Sequence, residues 1–119
     1  MLITSFRVRK IEAPTSRLVA ICTITLDGMF AVSDIKVLSA EDGDFYMGMP
    51  SKKTSLDTFK DIAYPVNREV RSAIERVIFA AVRHSVDNNI ALLNGEIRQG
   101  TNKVSLLQQD IEDYQLTSI

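Results

Sequence analysis

Two β-rich runs, residues 17–26 and 29–38, are separated only by the dipeptide Asp27-Gly28. Both residues of this pair tolerate the positive φ angles of a type I′ turn, so the dipeptide is a strong signal for a tight β-hairpin. Opposing Leu26 with Met29 gathers ten residues on one face, of which nine are apolar. The ten are Leu18, Ala20, Cys22, Ile24, Leu26, Met29, Ala31, Ser33, Ile35 and Val37. The sequence therefore predicts an antiparallel hairpin with one buried face.

Other segments of the first half also have the features of strands. Residues 2–10 alternate, with Phe6 and Val8 on one side of a half-buried strand. Residues 45–49 predict a short strand that ends before a proline, which cannot donate to a ladder. Residues 51–58 read as a polar loop, and residues 59–64 as one more short strand. The first half is therefore predicted to form an antiparallel sheet.

A long helix is predicted to follow the strands. Asn67 is a good N-cap, and Glu69 lies in the first turn, where the helix dipole favours an anion. Apolar residues then recur at helical spacing and should pack on the sheet. They are Val70, Ile74, Val77, Ile78 and Ala81. The pair Asn94-Gly95 is predicted to end the helix.

A second apolar series is displaced around the same predicted helix. Its members are Phe79, Val82, Val86, Ile90 and Leu93. Two interpretations are open: the helix bends near Arg83, or it has two apolar sides and the second meets a partner.

These elements predict an α+β fold, in which one long helix packs on an antiparallel sheet of four to five strands. Residues 1–94 would form the domain, and residues 95–119 an acidic C-terminal extension. Within the extension, Ser105 and Gln108 resemble the capping box of a short helix.

Length and charge narrow the class of protein. A chain of 119 residues is the size of one domain, and no apolar run approaches the roughly 20 residues of a transmembrane helix. A single cysteine cannot form an internal disulfide, which favours the reducing cytoplasm. Residues 45–86 hold 7 basic and 4 acidic side chains, whereas residues 87–119 hold 2 and 5. This asymmetry fits a basic working surface followed by an acidic tail, and also an ordinary solvated surface.

The sequence offers little for catalysis. His84 and Cys22 are the only residues that could form a thiol–imidazole pair, and Cys22 lies on the apolar face of a predicted strand. Ser51 and Lys52 are adjacent in extended backbone and so point to opposite sides. No histidine and cysteine cluster has zinc-ligand spacing, and no glycine-rich phosphate loop is present. We expect no enzymatic activity, cofactor, metal or small-molecule substrate.

The basic residues are more informative. Lys52 and Lys53 lie in the predicted loop, Lys60 on the following strand, and Arg68 and Arg71 at the helix start. Long cations beside the free N–H groups of a helix start suit phosphate binding that is indifferent to base identity. Two tyrosines that flank this region, Tyr46 and Tyr64, could stack on unpaired bases. The alternative is that Arg71 pairs with Glu75 and that the lysines only solvate a loop.

Several blocks of this region resemble the SpoVG family (stage V sporulation protein G, also called septation protein). The most specific are Met49-Pro50-Ser51-Lys52-Lys53 and Phe59-Lys60-Asp61-Ile62-Ala63-Tyr64-Pro65. The resemblance extends from about Phe6 to Val82 and implies a bacterial regulator of division or gene expression that binds DNA and RNA. It also implies an antiparallel sheet with a helix against it, assembled as a dimer through the sheets. Ser33 stands where family members often carry histidine, and the chain diverges after Arg83.

Together these observations predict a cytoplasmic, homodimeric, non-catalytic regulator that binds DNA or RNA and does not associate with membranes. The predicted nucleic-acid-binding residues are Lys52, Lys53, Lys60, Arg68, Arg71 and Tyr64. The alternative function is a protein-interaction adaptor that uses a sheet edge or the second apolar series of the helix.

Overall fold

The computed structural model describes residues 3–12 and 17–97, together with the backbone of residues 114–118. Its elements, in chain order, are β1 (Ile3–Lys10), β2 (Leu18–Leu26), β3 (Phe30–Ser39), β4 (Phe45–Gly48), β5 (Ser51–Lys53), β6 (Phe59–Asp61), α1 (Arg68–Asp87), β7 (Leu92–Ile97) and β8 (Tyr114–Ser118).

The strands form one large sheet and one small one. The large sheet is antiparallel, with the strand order β4-β3-β2-β1-β7-β8, and β5 and β6 form a separate two-stranded ribbon. The helix α1 packs against one face of the large sheet, with contacts to β1, β4 and β7. The predicted α+β fold, with a helix on an antiparallel sheet, is confirmed.

The core lies between α1 and the sheet. One row of four cross-strand partners joins Leu93, Val8, Cys22 and Ile35, and each of these side chains is at most 1% exposed. The helix covers this row with residues from three successive turns, which are Ile74, Val77, Ile78, Ala81 and Val82. Burial of each large aliphatic side chain contributes roughly 1.5–3 kcal/mol, so this layer is the main source of stability.

The predicted turn between β2 and β3 is present, but its register differs. Asp27 and Gly28 have φ angles of 53° and 65°, and the Met29 N–H donates to the Leu26 carbonyl at 3.0 Å. The ladder partner of Leu26 is Phe30, so the predicted pairing of Leu26 with Met29 is wrong. Met29 is 85% exposed and does not belong to the core.

A β-bulge explains why the prediction of the buried face is right for β2 and only partly right for β3. The register of β3 against β2 shifts between Cys22 and Ile24, next to Asp34, whose φ is 60°. One extra residue in β3 at this point makes the residues before and after it alternate in opposite phase, so those before it point to the other face of the sheet. Aspartate tolerates the left-handed conformation found here. Ile35 and Val37 are therefore buried as predicted, whereas Met29, Ala31 and Ser33 are exposed.

A similar shift occurs in β1, between Ile3 and Ser5. It places Ile3 in the core with Phe6 and Val8, although simple alternation assigns Ile3 to the opposite face.

The helix begins where the sequence predicts and ends earlier. The Asn67 side chain accepts the Val70 N–H at 2.8 Å, which confirms the N-cap. At the other end, Asn89 has a φ of 51°, and the Ile90 N–H donates to the Ser85 carbonyl at 2.8 Å. This is the Schellman arrangement that commonly terminates a helix. The predicted end at Asn94-Gly95 is wrong, because those residues belong to β7.

The second apolar series is divided between different elements. Ile90 and Leu93 lie beyond the helix, and Val82 is fully buried in the core. Phe79 packs edge-to-face on Phe45, with ring centroids 6.0 Å apart. Val86 remains on α1 and is 39% exposed, so the series does not form one continuous second face of the helix.

The C-terminal segment adds strands to the sheet. β7 pairs with β1, and the backbone of β8 pairs with β7 at the edge. The predicted short helix near Ser105 lies outside the described residues. β7 includes residues on both sides of the predicted domain boundary at position 94, and the division itself stays a prediction. The described helix lacks the apolar length needed to cross a membrane.

We expect Gly95→Ala to lower the free energy of unfolding by about 2 kcal/mol, because the added methyl would overlap the buried ring of Phe6. The matched control is Gly48→Ala in β4, where the nearest atom to an added Cβ is 3.7 Å away, and we expect little change or slight stabilisation. Urea denaturation followed by circular dichroism measures both. Equal effects of the two substitutions would contradict this assignment.

Candidate nucleic-acid interface

The segment predicted to be a loop, residues 51–58, begins with a strand. In the β5–β6 ribbon, Ser51 pairs with Asp61, Lys52 with Lys60, and Lys53 with Phe59. All six residues are exposed. Because neither face of the ribbon enters the core, β5 lacks the apolar alternation that would have predicted a strand. The prediction of a short strand in residues 59–64 is confirmed for Phe59–Asp61.

Hydrogen bonds fix the ribbon at its base and at its tip. At the base, the Ile62 N–H donates to the Pro50 carbonyl at 2.7 Å. At the tip, the Thr54 N–H donates to the Thr58 carbonyl at 2.7 Å, and the two threonine hydroxyls lie 2.6 Å apart. The ribbon is thus a preformed element rather than an irregular loop, and ligand binding need not order it first.

Lys52 and Lys60 occupy directly opposed positions in the ribbon. Directly opposed residues of an antiparallel pair have Cβ atoms about 4.5–5.5 Å apart on the same face, and like charges there are destabilising. Neither ammonium group has an ion pair among residues 3–12 and 17–97. Lys53 differs, because its Nζ lies 2.9 Å from an Asp57 carboxylate oxygen. We call Lys52 and Lys60 the opposed lysine pair.

The three lysines line one cavity of about 480 Å³. Its other lining residues are Thr54, Ser55, Asp61 and Ile62. Ammonium groups and hydroxyls are both donors to phosphate oxygens, so this cavity can hold an oxyanion. The structure therefore brings Lys52, Lys53 and Lys60 together.

The two arginines of the helix start have different environments. An Arg71 Nη atom donates to the Met47 carbonyl at 3.1 Å, and its Nε lies 3.7 Å from a Glu75 carboxylate oxygen. Arg71 thus ties the helix to the end of β4, and the pairing with Glu75 considered from the sequence is present. Arg68 is exposed and has no ion pair within the described part of the chain. Neither arginine lines the lysine cavity.

Aromatic and aliphatic side chains are exposed around the ribbon. Tyr64 is 59% exposed and Tyr46 44%, as stacking would require. Phe59 was not among the predicted site residues, yet it is 72% exposed and lies opposite Lys53. Its place next to Lys60 on a short polar strand was the available sequence signal.

The environments of Cys22 and His84 do not favour nucleophilic chemistry. Burial raises the pKa of the Cys22 thiol from 9.0 to about 12, so the thiol remains protonated at neutral pH. His84 lies at the end of α1, where its Nδ1 is 3.4 Å from the Asn88 side-chain nitrogen. No group of three or more potential metal ligands occurs within the described ranges.

The family model for SpoVG matches residues 1–84 of this chain. This span contains the sheet from β1 to β4, the ribbon and most of α1. The matched span ends before β7. The strand that pairs with β1 on the side away from β2 therefore lies beyond the matched residues.

Individual relatives give the same result. A protein of Clostridium novyi (strain NT) is 41% identical over 92 residues, which cover 75% of this chain and 90% of the relative. A protein of Phytoplasma australiense is 40% identical over 76% of this chain and 92% of its own length. One from Caldanaerobacter subterraneus is 38% identical over 75% and 96%, respectively. Each bears the name "Putative septation protein SpoVG". With the family model matched through residue 84 and identities of about 40%, this chain belongs to the SpoVG family.

Proposed function

We propose that this protein is a cytoplasmic, homodimeric, non-catalytic regulator that binds nucleic acid through the β5–β6 ribbon. The names of its relatives associate the family with septation, and the regulated process would be of that kind. The single observation that carries the proposal is the opposed lysine pair, which has no carboxylate partner in residues 3–12 and 17–97.

Electrostatics supports a polyanion as the ligand of this pair. Like charges at directly opposed positions of a ladder are destabilising, so the free protein holds these two lysines side by side at a cost. A phosphate between them would convert this repulsion into two attractions. Binding of the lysines to phosphates also releases counterions condensed on the nucleic acid. This release adds to the affinity, and the added affinity decreases as the salt concentration rises.

The neighbouring residues would play graded roles. Lys53 would contribute less than Lys52, because it must give up its ion pair with Asp57 to contact a phosphate. Arg68 would supply a further phosphate contact from the helix start. Arg71 would position that helix start through the Met47 carbonyl while keeping part of its guanidinium available. Tyr64 would stack on an unpaired base.

The adaptor alternative loses part of its basis. The second helix series does not form a continuous apolar surface, since Val82 is buried, Ile90 and Leu93 lie beyond α1, and only Val86 of the series is exposed on the helix. A sheet edge remains available to an adaptor. Salt dependence separates the two functions, because binding of a protein partner through a sheet edge depends on backbone hydrogen bonds and changes far less with salt.

We expect Lys52→Gln combined with Lys60→Gln to weaken binding of a mixed-sequence oligonucleotide roughly ten- to thirtyfold at 0.15 M salt. The slope of log K against log salt should become shallower by about 1.5, because two phosphate contacts are lost. Fluorescence anisotropy at several salt concentrations measures both quantities. The matched control is Lys53→Gln, a charge removed from the same strand, for which a much smaller change is expected. An unchanged slope in the double variant would remove the opposed lysine pair from the interface.

The homodimer is supported by apolar side chains that a single chain leaves in water. Four aliphatic or aromatic residues in and after the ribbon are 66–87% exposed, namely Leu56, Phe59, Ile62 and Val66. Apolar groups concentrated in one short segment are typical of an interaction surface, and a second copy would cover them.

Sedimentation equilibrium at micromolar concentration tests the dimer. We expect a mass twice the 13.3 kDa of one chain. Phe59→Ser with Ile62→Ser should shift the equilibrium toward monomer, whereas Met29→Ser, an exposed apolar residue in the β2–β3 turn, should not. A mass of one chain at all concentrations would contradict the proposal.

A further inference from the structure

We propose that the large sheet carries a second oxyanion site, on the face opposite α1, which binds a phosphate group through Arg7 and Arg9. This site is separate from the ribbon, and neither arginine was singled out by the sequence. It rests on the proposed function only in that a nucleic-acid strand is one source of the phosphate.

The strand ladder places these cations on one surface, which we call the open face. Residues of β1 that alternate with buried Phe6 and Val8 point away from the helix, and these include Arg7 and Arg9. One cross-strand row joins Leu92, Arg9, Ile21 and Lys36, the next joins Asn94, Arg7 and Thr23, and a third joins Glu96, Ser5 and Thr25.

The spacings of a sheet bring the cations near one another. Arg7 and Arg9 are two residues apart on one strand, or about 6.6 Å. Arg9 and Lys36 are two strands apart, or about 9.5 Å, with Ile21 between them.

Asn94 prearranges Arg7 for an anion. The Arg7 Nε donates to the Asn94 side-chain oxygen at 3.0 Å, which orients the guanidinium and leaves its two Nη groups for another acceptor. Paired N–H donors of a guanidinium match two oxygens of a phosphate. Asn94 is on β7, which lies beyond the residues matched by the family model. The hydrogen bond between Arg7 and Asn94 therefore depends on a strand outside the matched region.

A cavity of about 360 Å³ lies beside this arginine. Its polar lining residues are Ser5, Arg7, Thr23, Thr25, Asn94 and Glu96. Three hydroxyls and an oriented guanidinium are the side-chain donors that proteins commonly use on phosphate oxygens. Glu96 is the one carboxylate in the lining, and it would oppose an anion.

The charge balance of the open face also favours an anion. Within the described part of the chain, Arg7, Arg9 and Lys36 make no ion pair. Two nearby cations are neutralised, since Lys10 lies 3.3 Å from Glu12 and Arg17 lies 3.0 Å from Glu41. Charge complementarity therefore selects a phosphate as the occupant.

The test uses the full chain, isotopically labelled, with two probes followed by NMR. The probes are inorganic phosphate and a 12-nucleotide single strand of mixed sequence. In the wild type we expect shifts of the Arg7 Nε–H and of the Thr23 and Thr25 amides. Shifts with phosphate alone at millimolar concentration would indicate a site for free phosphate, and shifts with the oligonucleotide alone a site for strand phosphates. Either result supports the site, and no shift with either probe overturns it.

Variants separate a specific site from general charge. Arg7→Gln with Arg9→Gln should abolish the chemical-shift changes on the open face. It should also raise the Kd of whichever probe binds more tightly at least fivefold. Lys10→Gln with Arg17→Gln removes equal charge from paired cations and should have little effect. Glu96→Gln should tighten binding about two- to fivefold, a gain that a structural role would not produce. Shifts that persist unchanged in the Arg7 and Arg9 double variant overturn the proposal.

The outcomes also separate this site from the ribbon. Oligonucleotide shifts confined to the ribbon, with no open-face shift from either probe, would leave the proposed function standing and overturn the open-face site. Phosphate shifts on the open face, without oligonucleotide binding anywhere, would support the site and contradict the proposed function.

Discussion

A single helix packs on a sheet of six strands, and it can bury only one face. The 20 residues of α1 span about 30 Å, enough to shield the row of Leu93, Val8, Cys22 and Ile35 but not the reverse side. The bulge beside Asp34 keeps Ile35 and Val37 on the covered side after the register shifts. The hydrophobic layer therefore sets which residues of β1, β2, β3 and β7 are left for water and ligands.

The ribbon β5–β6 lies outside this layer, and its chemistry follows from that position. Its six residues are exposed, so the backbone ladder and the bonds at Pro50 and Thr54 hold it rather than a core. A ribbon without a buried face can carry lysines on directly opposed positions, which a core-facing strand could not accommodate. Arg71 connects this region to the rigid sheet by holding α1 to the Met47 carbonyl, three residues before Pro50.

Features set by neighbouring residues could be predicted from the sequence. Features set by the pairing of distant strands could not. Asp27-Gly28 acts through its own backbone angles and Asn67 through its side chain on the first turn of α1, and the turn and the N-cap occur as predicted. The helix end was misplaced because Ile90 and Leu93 continue a helical spacing by coincidence, while the left-handed Asn89 had already turned the chain. The sequence identifies the lysines as a basic group, but only the register of β5 against β6 shows that Lys52 and Lys60 lie directly opposite each other. Arg7 gains significance only when β7 brings Asn94 beside it.

We propose that the opposed lysine pair is the point where a phosphate backbone meets this protein. The most direct measurement is paramagnetic broadening of lysine side-chain signals by a single strand that carries a nitroxide on its backbone. The account predicts that the Lys52 and Lys60 Cε–H signals broaden first and most strongly, with Lys53 less affected. Equal, weak broadening of all lysines, or strong broadening at Lys10 with none in the ribbon, would contradict it.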